Sequence, residues 1–245
     1  MIIHGTRIAL LMAITVASCN SIVRIDWPAI TTVLLDMDGT LLDLRFDNDF
    51  WLNQIPKAYA RHQGVSVHQA QDYLRPIFQR EAGKLNWYCL DFWSATVGFD
   101  VAALKRQLSQ GIGWRPEAAD FLAKLKASHC QVALITNAHP ETLRIKLEQV
   151  QLAPWFDHIV SSHQFGAPKE SQQFWQQLVK THPFQPTSTL FIDDSEAVLG
   201  AADIFGVAHL VTLRQPDSTG PIRSATQFPA IHHFNEIFDG LAHGV

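Results

Sequence analysis

Short apolar, β-branched runs alternate with helix-length amphipathic segments along most of this chain. The first run, residues 29–36 (AITTVLLD), has strand length and stops abruptly at the polar stretch DMDGT, the pattern of a strand buried on both faces of a parallel sheet. Similar runs fall at residues 132–136 (VALIT), 158–161 (HIVS), 189–193 (TLFID) and 207–212 (VAHLVT). Between them, Pro116 opens a segment with Ala118, Phe121, Leu122 and Leu125 on one face, and Pro140 opens one with Leu143, Leu147 and Val150. Two further helices are expected over residues 170–180, burying Phe174 and Leu178, and 196–205, burying Val198, Ala201 and Phe205. The alternation predicts an α/β fold, a doubly wound parallel sheet of Rossmann-like type.

Almost a hundred residues separate the first strand from the second, far more than a βαβ crossover needs. Helical periodicity at residues 50–62, 67–79, 87–97 and 101–108 fills the gap, so a small all-α subdomain is expected at 46–111. The core domain then comprises 29–45 and 112–245, and 1–28 form an N-terminal extension. Arg7, the apolar run 8–17 and Val16-Ala17-Ser18-Cys19 make that extension look like a lipoprotein export signal, too short to span a bilayer. Met12 within it offers an alternative start, which would make the upstream residues a translation-start artefact.

Composition narrows the function. With 47% hydrophobic and 17% charged residues the chain is a packed globular protein, and a net charge of -4 argues against a nucleic-acid polymer as partner. Cys19, Cys89 and Cys130 are far apart without metal-ligand spacing, and the histidines, His232 and His233 included, show none either. A reducing cytoplasm is expected and no membrane partner, unless Cys19 belongs to a genuine lipoprotein signal.

Four polar elements sit at or just beyond expected strand ends, where open α/β sheets build their ligand crevice: Asp36-Met37-Asp38-Gly39-Thr40, Thr136-Asn137, Lys169 and Asp193-Asp194. Two carboxylates at ~4 Å repel by ~4 kcal/mol at an effective dielectric near 20, so a cation must occupy such a cluster. Hard oxygen ligands favour Mg²⁺. Asp36 is the candidate nucleophile and Asp38 the acid/base, with the Thr136-Asn137 element and Lys169 holding phosphoryl oxygens. Trp87, Tyr88, Phe92 and Trp93 lie at helical spacing and serve either core packing or stacking on a purine, with Asp91 accepting from base N–H groups. Arg45, Phe46 and Asp47 are hinge residues of the insert or solvated linker. His139 reads as a helix-capping neighbour, and Glu117, Lys124 and Lys126 as a wet helix face.

In their order and spacing these elements resemble the motif set of the haloacid dehalogenase superfamily, most of whose members are phosphatases. The resemblance implies Asp36 as nucleophile and metal ligand, Asp38 as acid/base and ligand through its carbonyl, Asp194 as direct ligand and Asp193 as its support. It also makes the insert a cap that screens substrates. The dehalogenating branch lacks the acid at position 38 and needs no metal, so phosphotransfer is the better branch. The runs LLDMDGTLLDLRFDNDFW, LNWYCLDFW, ITNAHPETLRIKLE, FGAPKE and FIDDSEAVLGAA are similar to those of bacterial 5'-nucleotidases acting on GMP and IMP. That likeness implies a small phosphate ester, a purine mononucleotide, as substrate. A sugar phosphate or phosphoglycolate, a mutase reaction, or a non-catalytic binding module on the same fold are the alternatives.

Overall fold

A computed structural model describes residues 23–241; the apolar run, Met12 and Cys19 of the extension lie outside them. The sheet is six-stranded and parallel in the order β3-β2-β1-β4-β5-β6. The strands are β1 (Thr32–Leu35), β2 (Gln131–Thr136), β3 (His158–Ser161), β4 (Thr189–Ile192), β5 (His209–Leu213) and β6 (Ala230–Ile231). The runs read from the sequence appear as strands: β1 and β4 are shorter than the runs, β3 coincides with its run, β2 gains Gln131, and β5 starts two residues later and ends one later. β6 went unpredicted because two residues after Pro229 carry no period.

Side-chain alternation sends each strand into two cores. Val33 and Leu35 of β1 join Leu134 and Ile192 on one face with Phe121, Leu122 and Leu125 of α7 (Ala118–Lys126) and Leu143 of α8 (Pro140–Val150). Leu34, Ile135 and Phe191 point the other way, onto Phe174 and Trp175 of α9 (Gln172–Thr181) and Leu199 and Ala202 of α10 (Glu196–Phe205). Helices on both faces leave no solvated side, which is why the strands read as continuous apolar runs. Trp27, placed by the sequence in the extension, is 1% exposed in the first core and donates from Nε1 to the Ile237 carbonyl at 2.9 Å. The core therefore starts before residue 29.

Between β1 and α7 come α1 (Arg45–Asp49), a π turn at Phe50–Gln54, α2 (Ile55–Gln63), α3 (Val67–Glu81), α4 (Leu85–Tyr88), α5 (Leu90–Val97) and α6 (Val101–Gln107). They bury a cluster of their own, with Phe50, Leu74, Leu90, Trp93 and Val101 at its centre. The helix expected over 87–97 is two helices. Cys89 is extended (φ -86, ψ 111) and begins α5 as its N-cap, so Tyr88 and Trp93 do not share one continuous face. Among the described residues no helix is long and apolar enough to cross a membrane.

The chain adds β2 and β3 on one side of β1, then returns to add β4, β5 and β6 on the other. The reversal leaves a crevice at the carboxyl ends of β1 and β4. Register then decides what lines it. Leu35 pairs with Leu134 and Ile192, so the next residue, Asp36, falls between Ile135 and Asp193. Its amide donates to the Ile192 carbonyl at 3.0 Å, extending the pairing by one residue.

Candidate active site

Past Asp36 the backbone turns sharply: the amides of Leu41 and Leu42 both donate to the Met37 carbonyl, at 3.0 and 2.8 Å. Gly39 has φ +85, and a Cβ there would stand 2.6 Å from Asp194 Cγ. Glycine is required twice over, by backbone conformation and by the approach of that carboxylate.

Lys169 reaches the crevice from the loop before α9 and is 2% exposed. Its ammonium donates to Asp36 Oδ1, to Asp193 Oδ2 at 2.7 Å and to the Ile135 carbonyl at 3.2 Å. Burial works against this charge, but Asp193 and Asp36 outweigh it and hold the lysine pKa above its ordinary value. Burial raises the pKa of Asp36 to about 6 against the pull of Lys169, with Asp193 adding repulsion. Asp194 is held well above the usual carboxylate range, by burial first and then by Asp193 and Asp36.

Asp36, Asp193 and Asp194 each bring a carboxylate oxygen within 4.8 Å of the other two. Fully ionised, three carboxylates against one buried ammonium leave two negative charges in excess, and this hard-oxygen set suits a divalent cation such as Mg²⁺. Asp193 is engaged on both sides, by Lys169 and by the Ser195 amide at 2.8 Å, so it supports the cluster rather than opening onto it. Asp194 is the freer carboxylate; Arg223 stands 3.9 Å away on its outer side.

Asp38 turns its side chain from this cluster to Lys146 of α8, 2.5 Å from its Oδ1. Lys146 also donates to Asp47 Oδ2 at 2.5 Å, and Lys105 of α6 to Asp47 Oδ1 at 2.8 Å. Both lysines are buried, at 1% and 2% exposure. Burial pushes Asp38 to about 6 despite Lys146, whereas the two lysines overcome burial at Asp47 and take it down to about 2. This chain of alternating charges joins the insert to Asp38. Asp47 is neither solvated linker nor bare hinge but the centre of the chain, and sequence reading missed Lys105 and Lys146 altogether.

Thr136 ends β2 at the floor of the cleft, where its hydroxyl accepts from the Ala138 amide at 3.0 Å and keeps its proton to donate. The Asn137 side chain lines the cleft and is partly engaged by its neighbours. Its Oδ1 accepts from the Lys169 amide and its Nδ2 donates to Glu170 Oε2, both at 2.9 Å, so it fixes the lysine loop. Glu170 was expected inside a helix; the helix starts two residues later, behind the Ser171 cap, and the glutamate instead accepts from Tyr88 Oη at 2.7 Å. That bond joins insert to core.

The cleft encloses about 230 Å³, against the roughly 15 Å³ one water needs, so it has room for a phosphoryl group. Trp87 and Tyr88 line it, together with Trp51, which sequence reading did not single out. Phe92 and Trp93 pack in the insert. Asp91 lies outside the cleft, 89% exposed and 3.6 Å from His139 Nε2. Burial lowers the pKa of His139 and, more strongly, that of His163, to about 4, so both rings are neutral at pH 7.

Residues 30–206 match the family of haloacid dehalogenase-like hydrolases. A GMP/IMP nucleotidase, YrfG, of Escherichia coli K12 is 39% identical over 219 residues, which are 89% of this chain and 99% of that protein, and the Shigella flexneri protein of the same name matches equally. Among solved structures, a HAD phosphatase from Thermococcus onnurineus superposes with a TM-score of 0.73 at 18% identity, covering 87% of this chain and 99% of that one. The HAD-hydrolase YfnB from Bacillus subtilis, solved with magnesium bound, gives 0.60 at 21% identity, covering 86% and 98%. The matched segment runs from just before β1 to the end of α10 and so contains every element that delivers a side chain to the acidic cluster, which makes this chain a member of the haloacid dehalogenase-like hydrolases.

Proposed function

We propose that the protein is a Mg²⁺-dependent phosphatase that hydrolyses purine nucleoside 5'-monophosphates, GMP and IMP, through a phospho-aspartate on Asp36. The observation that carries this reading is the Lys169 ammonium shared by Asp36 and Asp193, beside Asp194, on the floor of a cleft with room for phosphate. Asp36 and Asp194 would hold the ion with the Asp38 carbonyl, and Asp193 would support them. When bound, the ion supplies positive charge that screens the phosphoryl oxygens from the carboxylates.

With a pKa of about 6, Asp36 is mostly ionised at neutral pH and presents an oxygen nucleophile. That oxygen attacks phosphorus, the ester P–O bond breaks, and the departing oxygen takes a proton from Asp38. Water then attacks phosphorus, the bond to Asp36 breaks, and the water's proton returns to Asp38. Lys169 and the Thr136 hydroxyl bind the phosphoryl oxygens.

Residues 46–111 serve as the cap, and Trp51 and Trp87 offer the aromatic faces on which a purine stacks. The choice of GMP and IMP follows the identity to the E. coli relative. Cys89 and Cys130 are free thiols, which fits a cytoplasmic enzyme. Phosphate release across a panel of nucleotides, sugar phosphates and phosphoglycolate tests the proposal. GMP and IMP are expected to lead, EDTA to stop turnover and Asp36→Asn to abolish it. An Asp36→Asn protein with full activity would overturn the mechanism, and preference for a sugar phosphate would overturn the substrate.

A further inference from the structure

A second set of ligand-type side chains gathers on the rim, where the insert meets the core. Cys89 lies in the break between α4 and α5, His139 caps α8, and His163 follows β3. One ligand atom from each lies within 4.8 Å of the other two. His139 Nδ1 faces the Glu141 amide at 3.3 Å and Nε2 faces Asp91 at 3.6 Å; ligation through Nε2 moves the ring proton to Nδ1 and gives up the long contact with the amide. The two imidazoles meet edge to face, with centroids 5.1 Å apart. His163 Nε2 is buried with no hydrogen-bond partner. A buried polar atom left unpaired costs about 1–3 kcal/mol, and it calls for an explanation.

The chemistry of the set is specific. One thiol, two imidazoles and a neighbouring carboxylate form a borderline-soft donor group, unlike the all-oxygen cluster in the cleft, and they match a tetrahedral zinc-class ion. Bonds of ~2.3 Å to sulfur and ~2.0 Å to nitrogen give ligand edges of about 3.3–3.5 Å, so closing the set around an ion takes up to about 1.5 Å of adjustment per edge. The site shares no residue with the acidic cluster.

We propose that Cys89, His139 and His163, with Asp91 as the exposed fourth ligand, form a second metal site that takes a zinc-class divalent ion and ties the insert to the core. Cys89 and Asp91 belong to the insert, and His139 and His163 to the core. The bound ion is therefore a cross-link beside the Tyr88–Glu170 hydrogen bond, and it restrains the opening of the cleft.

The test titrates full-length protein with Co²⁺ under saturating Mg²⁺, which occupies the acidic cluster, and follows absorption. A near-ultraviolet thiolate-to-cobalt band at one equivalent is expected. Cys89→Ser should lose the band. His163→Gln should weaken binding by about 10-fold or more, since even the outer partners of metal ligands are worth that much. Zn²⁺ should slow hydrogen exchange across α4 and α5 in the unmodified protein and leave Cys89→Ser unaffected. If His163→Gln does not fold, Cys89→Ser decides alone. Absence of the band, its survival in Cys89→Ser, or binding without added protection overturns the proposal.

Discussion

Replacing Lys146 with methionine keeps most of the side-chain volume and removes one charge from a row of four, in which both lysines are buried and both carboxylates half-buried. The ammonium is 2.5 Å from both Asp38 and Asp47 and is 1% exposed. Without it, two half-buried carboxylates share the single charge of Lys105. Deleting one partner of a buried ion pair costs about 3–5 kcal/mol, because the other is left uncompensated. In a chain of this size each kcal/mol lowers Tm by about 2–4 °C, so Lys146→Met should melt about 6–20 °C below the unmodified protein. Thermal unfolding followed by near-ultraviolet circular dichroism measures it. Adding Asp47→Asn leaves one carboxylate, Asp38, to one ammonium, Lys105, and should recover at least half of the loss, which separates charge imbalance from lost packing. A single variant that melts within about 2 °C of the parent, or a double variant no better than the single, would refute the reasoning.

Gly39→Ala puts a methyl 2.6 Å from Asp194 Cγ at φ +85, so the Mg²⁺ concentration for half-maximal activity should rise by about 10-fold or more; an unchanged midpoint would show that Asp194 is not a ligand. Asp47 titrates near 2 when folded and near 3.8 when unfolded, so its stabilisation is present above pH 4 and disappears as pH falls through 2. Asp47→Asn should thus be less stable by ~2–3 kcal/mol at pH 7. The gap should close by pH 2 in denaturant titrations, and one that stays constant would contradict the charge-row account. Tyr88→Phe removes a hydrogen bond to a carboxylate, worth about 1.5–3 kcal/mol, and should speed hydrogen exchange in α4 and α5. Unaltered exchange there would mean that the bond does not hold the insert down.

Strands β1 to β5 were legible in the sequence because the faces they bury leave short apolar runs, and those of β1, β2 and β4 end where the site begins. The same endings exposed Asp36, Thr136 and Asp193. Lys105 and Lys146 were not legible, since a lysine in an amphipathic helix reads as solvent-facing until a half-buried carboxylate is known to meet it. Asp47 supplies that carboxylate from 58 and 99 residues away. Cys89, His139 and His163 come from three separate turns, so no linear spacing announces them. The aromatic stretch misled in another way: its helical period is interrupted at Cys89, which points Trp93 into the insert and leaves Trp87 and Tyr88 on the cleft.

The reversal of strand order between β1 and β4 also governs when the enzyme comes into being. Asp36 leaves the ribosome early, but its partner Asp194 follows 158 residues later (194 minus 36). Closing a loop of that length costs roughly 4–5 kcal/mol of chain entropy before any pairing rewards it. The acidic cluster of Asp36, Asp193 and Asp194 is therefore incomplete in a nascent polypeptide until β4 has docked beside β1.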